Sequence, residues 1–133
     1  MKLLTYKYQG AGPKAGVKEG DSIIDLTDLL KADREIKDIR MLMEEYPDAL
    51  KRIKQAMESD QEKTKVKLKE AKLCAPVLHP SAIRDGCMFE VHSNNAGRES
   101  DVLTPPLWYE RPIFYYQNPN NVTGPEAHVR RKT

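Results

Sequence analysis

Ala15-Gly16-Val17-Lys18-Glu19-Gly20-Asp21-Ser22-Ile23-Ile24-Asp25-Leu26-Thr27-Asp28-Leu29-Leu30 changes its periodicity partway along. Ala15 to Lys18 and Ser22 to Asp25 flank Glu19-Gly20-Asp21, where Gly20 can take the positive φ of a tight hairpin. From Asp25 onward the pattern is helical. Asp25 stands where a side-chain oxygen caps Leu26 to Leu30, and Asp28 puts a carboxylate at the helix N-terminus, which favours negative charge. A hairpin running straight into a capped helix predicts an α+β fold.

Toward the N-terminus, Leu4, Tyr6 and Tyr8 share one face of a period-2 pattern and Leu3, Thr5 and Lys7 the other, the signature of a half-buried strand. Gly10-Ala11-Gly12-Pro13 turns the chain, so it opens as a small antiparallel meander. Toward the C-terminus, Ile36, Ile39, Leu42, Met43 and Tyr46 recur at helical spacing, and Leu50, Ile53 and Met57 resume it after Pro47. Two amphipathic helices separated near Pro47 are expected. The stretch from Glu58 to Lys65 has no apolar residue and reads as an exposed connection. Val66 and Leu68 then alternate with Lys65, Lys67 and Lys69 as an edge strand does. A boundary near residue 72 divides an N-terminal α+β domain, 1–72, from a segment 73–133 that carries seven of the nine prolines. There long helices are excluded, and short strands joined by ordered loops are expected.

Composition narrows the function classes. Among 133 residues, 22 Lys and Arg stand against 20 Asp and Glu, a net charge of +2. The isoelectric point near 8.5 is below the value of roughly 9 that marks a dedicated nucleic-acid binder, and the aromatics are not interleaved with basic residues, so no nucleic-acid partner is expected. No apolar run reaches membrane-spanning length, and the opening Met1-Lys2-Leu3-Leu4-Thr5-Tyr6-Lys7-Tyr8 is too short and polar for a secretory signal, which points to the cytoplasm and to no membrane partner. Cys74 and Cys87 lack metal-binding spacing. The glycines of Gly10 to Gly16 lack the Gly-Lys-Ser/Thr of a phosphate loop.

Chemistry concentrates later. Asp85 and His92 sit seven residues apart in a proline-bounded segment, a spacing that can put a metal ligand and a general base around one pocket. Phe89, Trp108, Tyr109, Phe114, Tyr115 and Tyr116 crowd the same part of the chain. Such rings more often fill a core or an interface than touch a ligand. Left uncovered, they form an apolar patch that favours self-association or partner docking.

Ala75-Pro76-Val77, His79-Pro80, Ile83-Arg84-Asp85, Phe89-Glu90-x-His92, Pro106-x-Trp108-Tyr109-Glu110, Pro112-Ile113-Phe114-Tyr115-Tyr116-x-Asn118-Pro119-Asn120 and Gly124-Pro125 follow one another in an order that resembles the first part of the catalytic domain of the fumarylacetoacetate hydrolase family. Lys2-Leu3-Leu4-Thr5-Tyr6 and Asp21-Ser22-Ile23-Ile24-Asp25-Leu26-Thr27 are similar to the small N-terminal domain of its longer members. The resemblance implies a β-rich catalytic domain and a hydrolase that uses Mg2+ or Ca2+ to cleave a carbon–carbon bond of a small dioxo acid. It also implies a role for particular residues: Asp85 at a metal-ligand position, His92 as the base, Tyr115 as a substrate contact and Arg98 as a substrate-carboxylate clamp.

This chain also departs from the family. Gly86-Cys87 stands where the family has an aromatic pair, which removes a substrate-facing hydroxyl. No Glu-x-Glu, the family's main ligand pair, occurs in the 133 residues. After Gly124-Pro125 the sequence Glu126-Ala127-His128-Val129-Arg130-Arg131-Lys132-Thr133 reads as a truncation or a shifted frame, leaving the β-rich catalytic domain incomplete. The expectation is a hydrolase fragment, inactive as it stands, that forms a homo-oligomer or lacks a C-terminal segment. The alternative is a non-catalytic module that docks on a partner through its aromatic C-terminal part.

Overall fold

The structure, a computed structural model, describes residues 1–86, 88–98 and 104–129, with the side chains of 96–98 left outside that description. The fold is α+β. The chain divides into two compact units, one of Met1–His79 joined by the stretch from Val122 onward, the other Pro80–Asn121.

In the first unit, strands β1 (Lys2–Lys7), β2 (Lys14–Glu19), β3 (Ser22–Asp25), β4 (Lys65–Lys67) and β5 (Lys72–Leu73) form an antiparallel sheet in the order β4-β3-β2-β1-β5. Only a 3-10 turn at Leu68–Glu70 and Ala71 separates β4 from β5, yet they lie at opposite edges, so the sheet curls on itself. Gly20 makes the β2–β3 turn with φ 54°, a conformation that glycine adopts without steric cost. Gly16 is needed for a different reason: a Cβ there would collide with Ile23 Cγ2 and come within 3.0 Å of the Tyr6 ring.

Helices α1 (Leu26–Leu29), α2 (Ile39–Glu45) and α3 (Ala49–Glu58) complete this unit. Val17 and Ile24, directly opposite across β2 and β3, pack with Leu26, Leu29, Leu42 and Ile53 into one core. A second core holds Tyr6, Ile23 and Val66, with Leu4, Tyr8, Leu68 and Leu73 against them. β1 is therefore covered on both faces rather than one: Thr5, on the face expected to be the more polar, is fully buried and donates from Oγ1 to the Pro76 carbonyl at 2.7 Å.

Asp25 ties the two cores together. Its Oδ1 accepts from the Thr27 and Asp28 amides at 2.8 and 3.3 Å, capping α1. Its Oδ2 accepts from the Tyr6 hydroxyl at 3.0 Å and lies 3.5 Å from Lys14 Nζ. Burial, and after it the Asp25 charge, hold the Tyr6 hydroxyl well above its ordinary pKa.

The helices differ from expectation at one end. Ile36 is fully buried but precedes α2, because its carbonyl accepts from the Ala15 amide at 2.7 Å and its amide donates to Thr27 Oγ1 at 3.0 Å. The helix starts only after Asp38, whose Oδ1 accepts from the Met41 amide while Oδ2 accepts from the Leu78 amide. Asp38 thereby joins α2 to the segment after β5. No helix among the described residues is long and apolar enough to cross a membrane.

Candidate functional site

The second unit contains β6 (Ile83–Gly86), α4 (Glu90–Arg98), α5 (Leu107–Glu110) and β7 (Phe114–Gln117). The apolar and aromatic residues of Ile83 and Phe114 to Tyr116 favour strands, and Pro112 and Pro119 stand just outside β7, where proline costs the ladder nothing. α4 was not expected among so many prolines. It occupies part of the proline-free interval between Pro80 and Pro105, with the Glu90 carboxylate in its first turn. Thr104 Oγ1 donates to Asn94 Oδ1 at 2.7 Å and lies 3.0 Å from Ser93 Oγ, which brings the chain back against the helix. Tyr109 of α5 donates its hydroxyl to Glu90 at 2.8 Å, and this bond to a carboxylate is the main reason its pKa is raised.

β6 and β7 pair antiparallel with Ile83 opposite Gln117, Arg84 opposite Tyr116, Asp85 opposite Tyr115 and Gly86 opposite Phe114. Directly opposed side chains share a face, so Asp85, Tyr115 and Gln117 stand together and Arg84, Phe114 and Tyr116 face the other way. The Arg84 guanidinium lies 5.6 Å from the Tyr116 ring centre and 5.8 Å from that of Phe114, within cation–π range.

Asp85, Gly86, Met88, Phe89, His92, Ile113, Phe114 and Tyr115 line one open cleft of about 630 Å³. Three of the residues singled out from the sequence, Asp85, His92 and Tyr115, thus share a single wall-to-wall space. The side chain of the fourth, Arg98 at the end of α4, lies outside the described residues, as does Cys87. Gln117 was missed. Its Nε2 donates to Asp85 Oδ2 at 3.5 Å, a long and weak bond. Period-2 spacing from Tyr115 between the flanking prolines could have placed it on the same face. Gly86 takes up strand geometry, and a Cβ there would come within 3.1 Å of Met88 Cγ.

The donor set for a hard cation is thin. Asp85 is the one carboxylate on the cleft among the described residues, and no group of three His, Cys, Asp or Glu side chains is gathered there to hold a metal. Mg2+ and Ca2+ take about six to eight oxygen ligands. Among the described residues the cleft therefore offers one such ligand, Asp85. Neither a model of a known protein family nor a curated protein matches the chain.

Proposed function

We propose that the chain carries the first part of a fumarylacetoacetate hydrolase-like catalytic domain, from a lineage of metal-dependent hydrolases of carbon–carbon bonds in dioxo acids, and that these 133 residues alone are catalytically silent. The supporting observation is that Asp85, His92 and Tyr115, separated in sequence, line one cleft. In this reading His92 takes the proton of a water that adds to the substrate carbonyl, the adjacent carbon–carbon bond breaks with its carbon leaving as an enolate, and the His92 imidazolium returns the proton to that carbon, while Tyr115 donates to a substrate oxygen. Silence follows from the donor count, since a single carboxylate holds a hard cation only in the millimolar range or more weakly.

The test is Mn2+ titration of the chain followed by NMR. Selective broadening of signals from residues 83–92 and 113–117, half-saturating in the millimolar range and lost in Asp85→Asn, is the expected result. Broadening confined to the acidic residues of the first unit would overturn the reading. Turnover of an acylpyruvate by the purified chain with Mg2+, abolished in His92→Ala, would overturn the silence. The alternative, a docking module, draws support from the exposure of Phe89, Tyr109, Tyr115 and Tyr116.

A further inference from the structure

The edges of the two sheets are built on opposite plans. β4 (Lys65-Val66-Lys67) and β5 (Lys72-Leu73) close the five-stranded sheet, and both carry lysine, a residue that discourages an edge from pairing with another chain. β7 reads Phe114-Tyr115-Tyr116-Gln117, without a charge, a proline or a bulge, and all four residues are exposed. It is bonded to β6 on one side and, among the described residues, to no strand on the other. β6 differs again, for it carries Arg84 and Asp85.

From this contrast we propose that β7 is a self-association edge, pairing antiparallel with β7 of a second copy of the chain to make one sheet in the order β6-β7-β7-β6. About a twofold axis residue i meets residue j and j meets i, so a charged strand paired with itself gathers like charges into one short ladder. β7 has none to gather. The rings that flank the edge add area to it. Tyr115 on one face of β7 and Phe114 and Tyr116 on the other are 73, 44 and 68% exposed. An aromatic side chain buries about 150–250 Å², so they offer at most roughly 280–460 Å² per copy. That is up to about half of the ~800 Å² per partner of a standard interface, before the new ladder of backbone bonds is counted, and fits a weak, concentration-dependent dimer. The inference is independent of the hydrolase reading, whose Mn2+ signal depends on Asp85 and not on association.

Sedimentation velocity and amide hydrogen exchange of the full chain, each run over a range of concentrations, test it. The expected result is a monomer–dimer equilibrium in which amides of residues 114–117 gain protection with concentration while those of β4 and β5 do not. Tyr116→Glu can still pair with Arg84 across its own hairpin but brings one carboxylate from each copy into the shared sheet. It is expected to weaken dimerisation at least about tenfold. A monomer at every concentration, or a dimer whose protection maps elsewhere, would overturn the proposal. So would a dimer of unchanged affinity in Tyr116→Glu.

Discussion

Ile24 and Tyr116 both occupy strand positions in antiparallel pairs, yet Ile24 is fully buried and Tyr116 is 68% exposed. The residues are equally suited to a strand, and what separates them is the cover. Ile24 sits in a five-stranded sheet with α1, α2 and α3 contributing to its core, whereas Tyr116 belongs to a two-stranded ribbon, and no described residue from Pro80 to Asn121 is buried. A lone hairpin is marginal in water, while three or more strands against helices hold a core. The first unit is therefore expected to carry the stability of the chain, and the second to carry its surface chemistry.

Ile24→Ala should break the first unit most, by about 2–5 kcal/mol in urea unfolding, as large-to-small changes in packed cores do. Asp25→Ala removes the cap of α1 and leaves the buried Tyr6 hydroxyl without its acceptor. A loss of about 2–4 kcal/mol is expected, with Asp25→Asn milder. Gly16→Ala should cost about 1–3 kcal/mol through the contact with Ile23 and Tyr6, read from the same unfolding curves.

The alkaline side sharpens the contrast through one group. Tyr6 is neutral in the fold and its pKa is raised there, so its contribution is complete below the unfolded tyrosine value of about 10 and is lost as pH climbs past it. Unfolding free energy measured from pH 8 upward should fall above about pH 10, and Tyr6→Phe should flatten that fall. Phe114→Ala, in the second unit, should change global stability least, within about 0.5 kcal/mol. A cost matching that of Ile24→Ala would mean that the two units unfold as one.

Much of the first unit is legible in local chemistry. The Gly20 hairpin, the Asp25 cap, the helix break at Pro47 and the lysine-bearing edge at β4 all follow from neighbours in sequence. What local pattern does not encode is long-range bonding. Ile36 fits a helical stripe but is held out of α2 by Ala15 and Thr27, and Thr5 is buried because Pro76 supplies an acceptor from far along the chain. Met43 and Leu50 extend the apolar pattern yet are 47 and 43% exposed, since the turn of each helix carries them off the packed face. At the candidate site the residue types could be picked out one by one, but their gathering around a cleft depends on the β6–β7 register, which no single segment contains.

The placement of β5 beside β1 has a consequence for synthesis. Tyr6 and Lys7 find their partners in Leu73 and Lys72, and the Cys74 amide closes on the Thr5 carbonyl at 2.9 Å. At about 5–20 residues per second, a nascent chain waits several seconds between making the first strand and making the one that flanks it. Through that interval the newborn polypeptide leaves the ribosome with its N-terminal strand open along one side, a natural moment for a chaperone to engage.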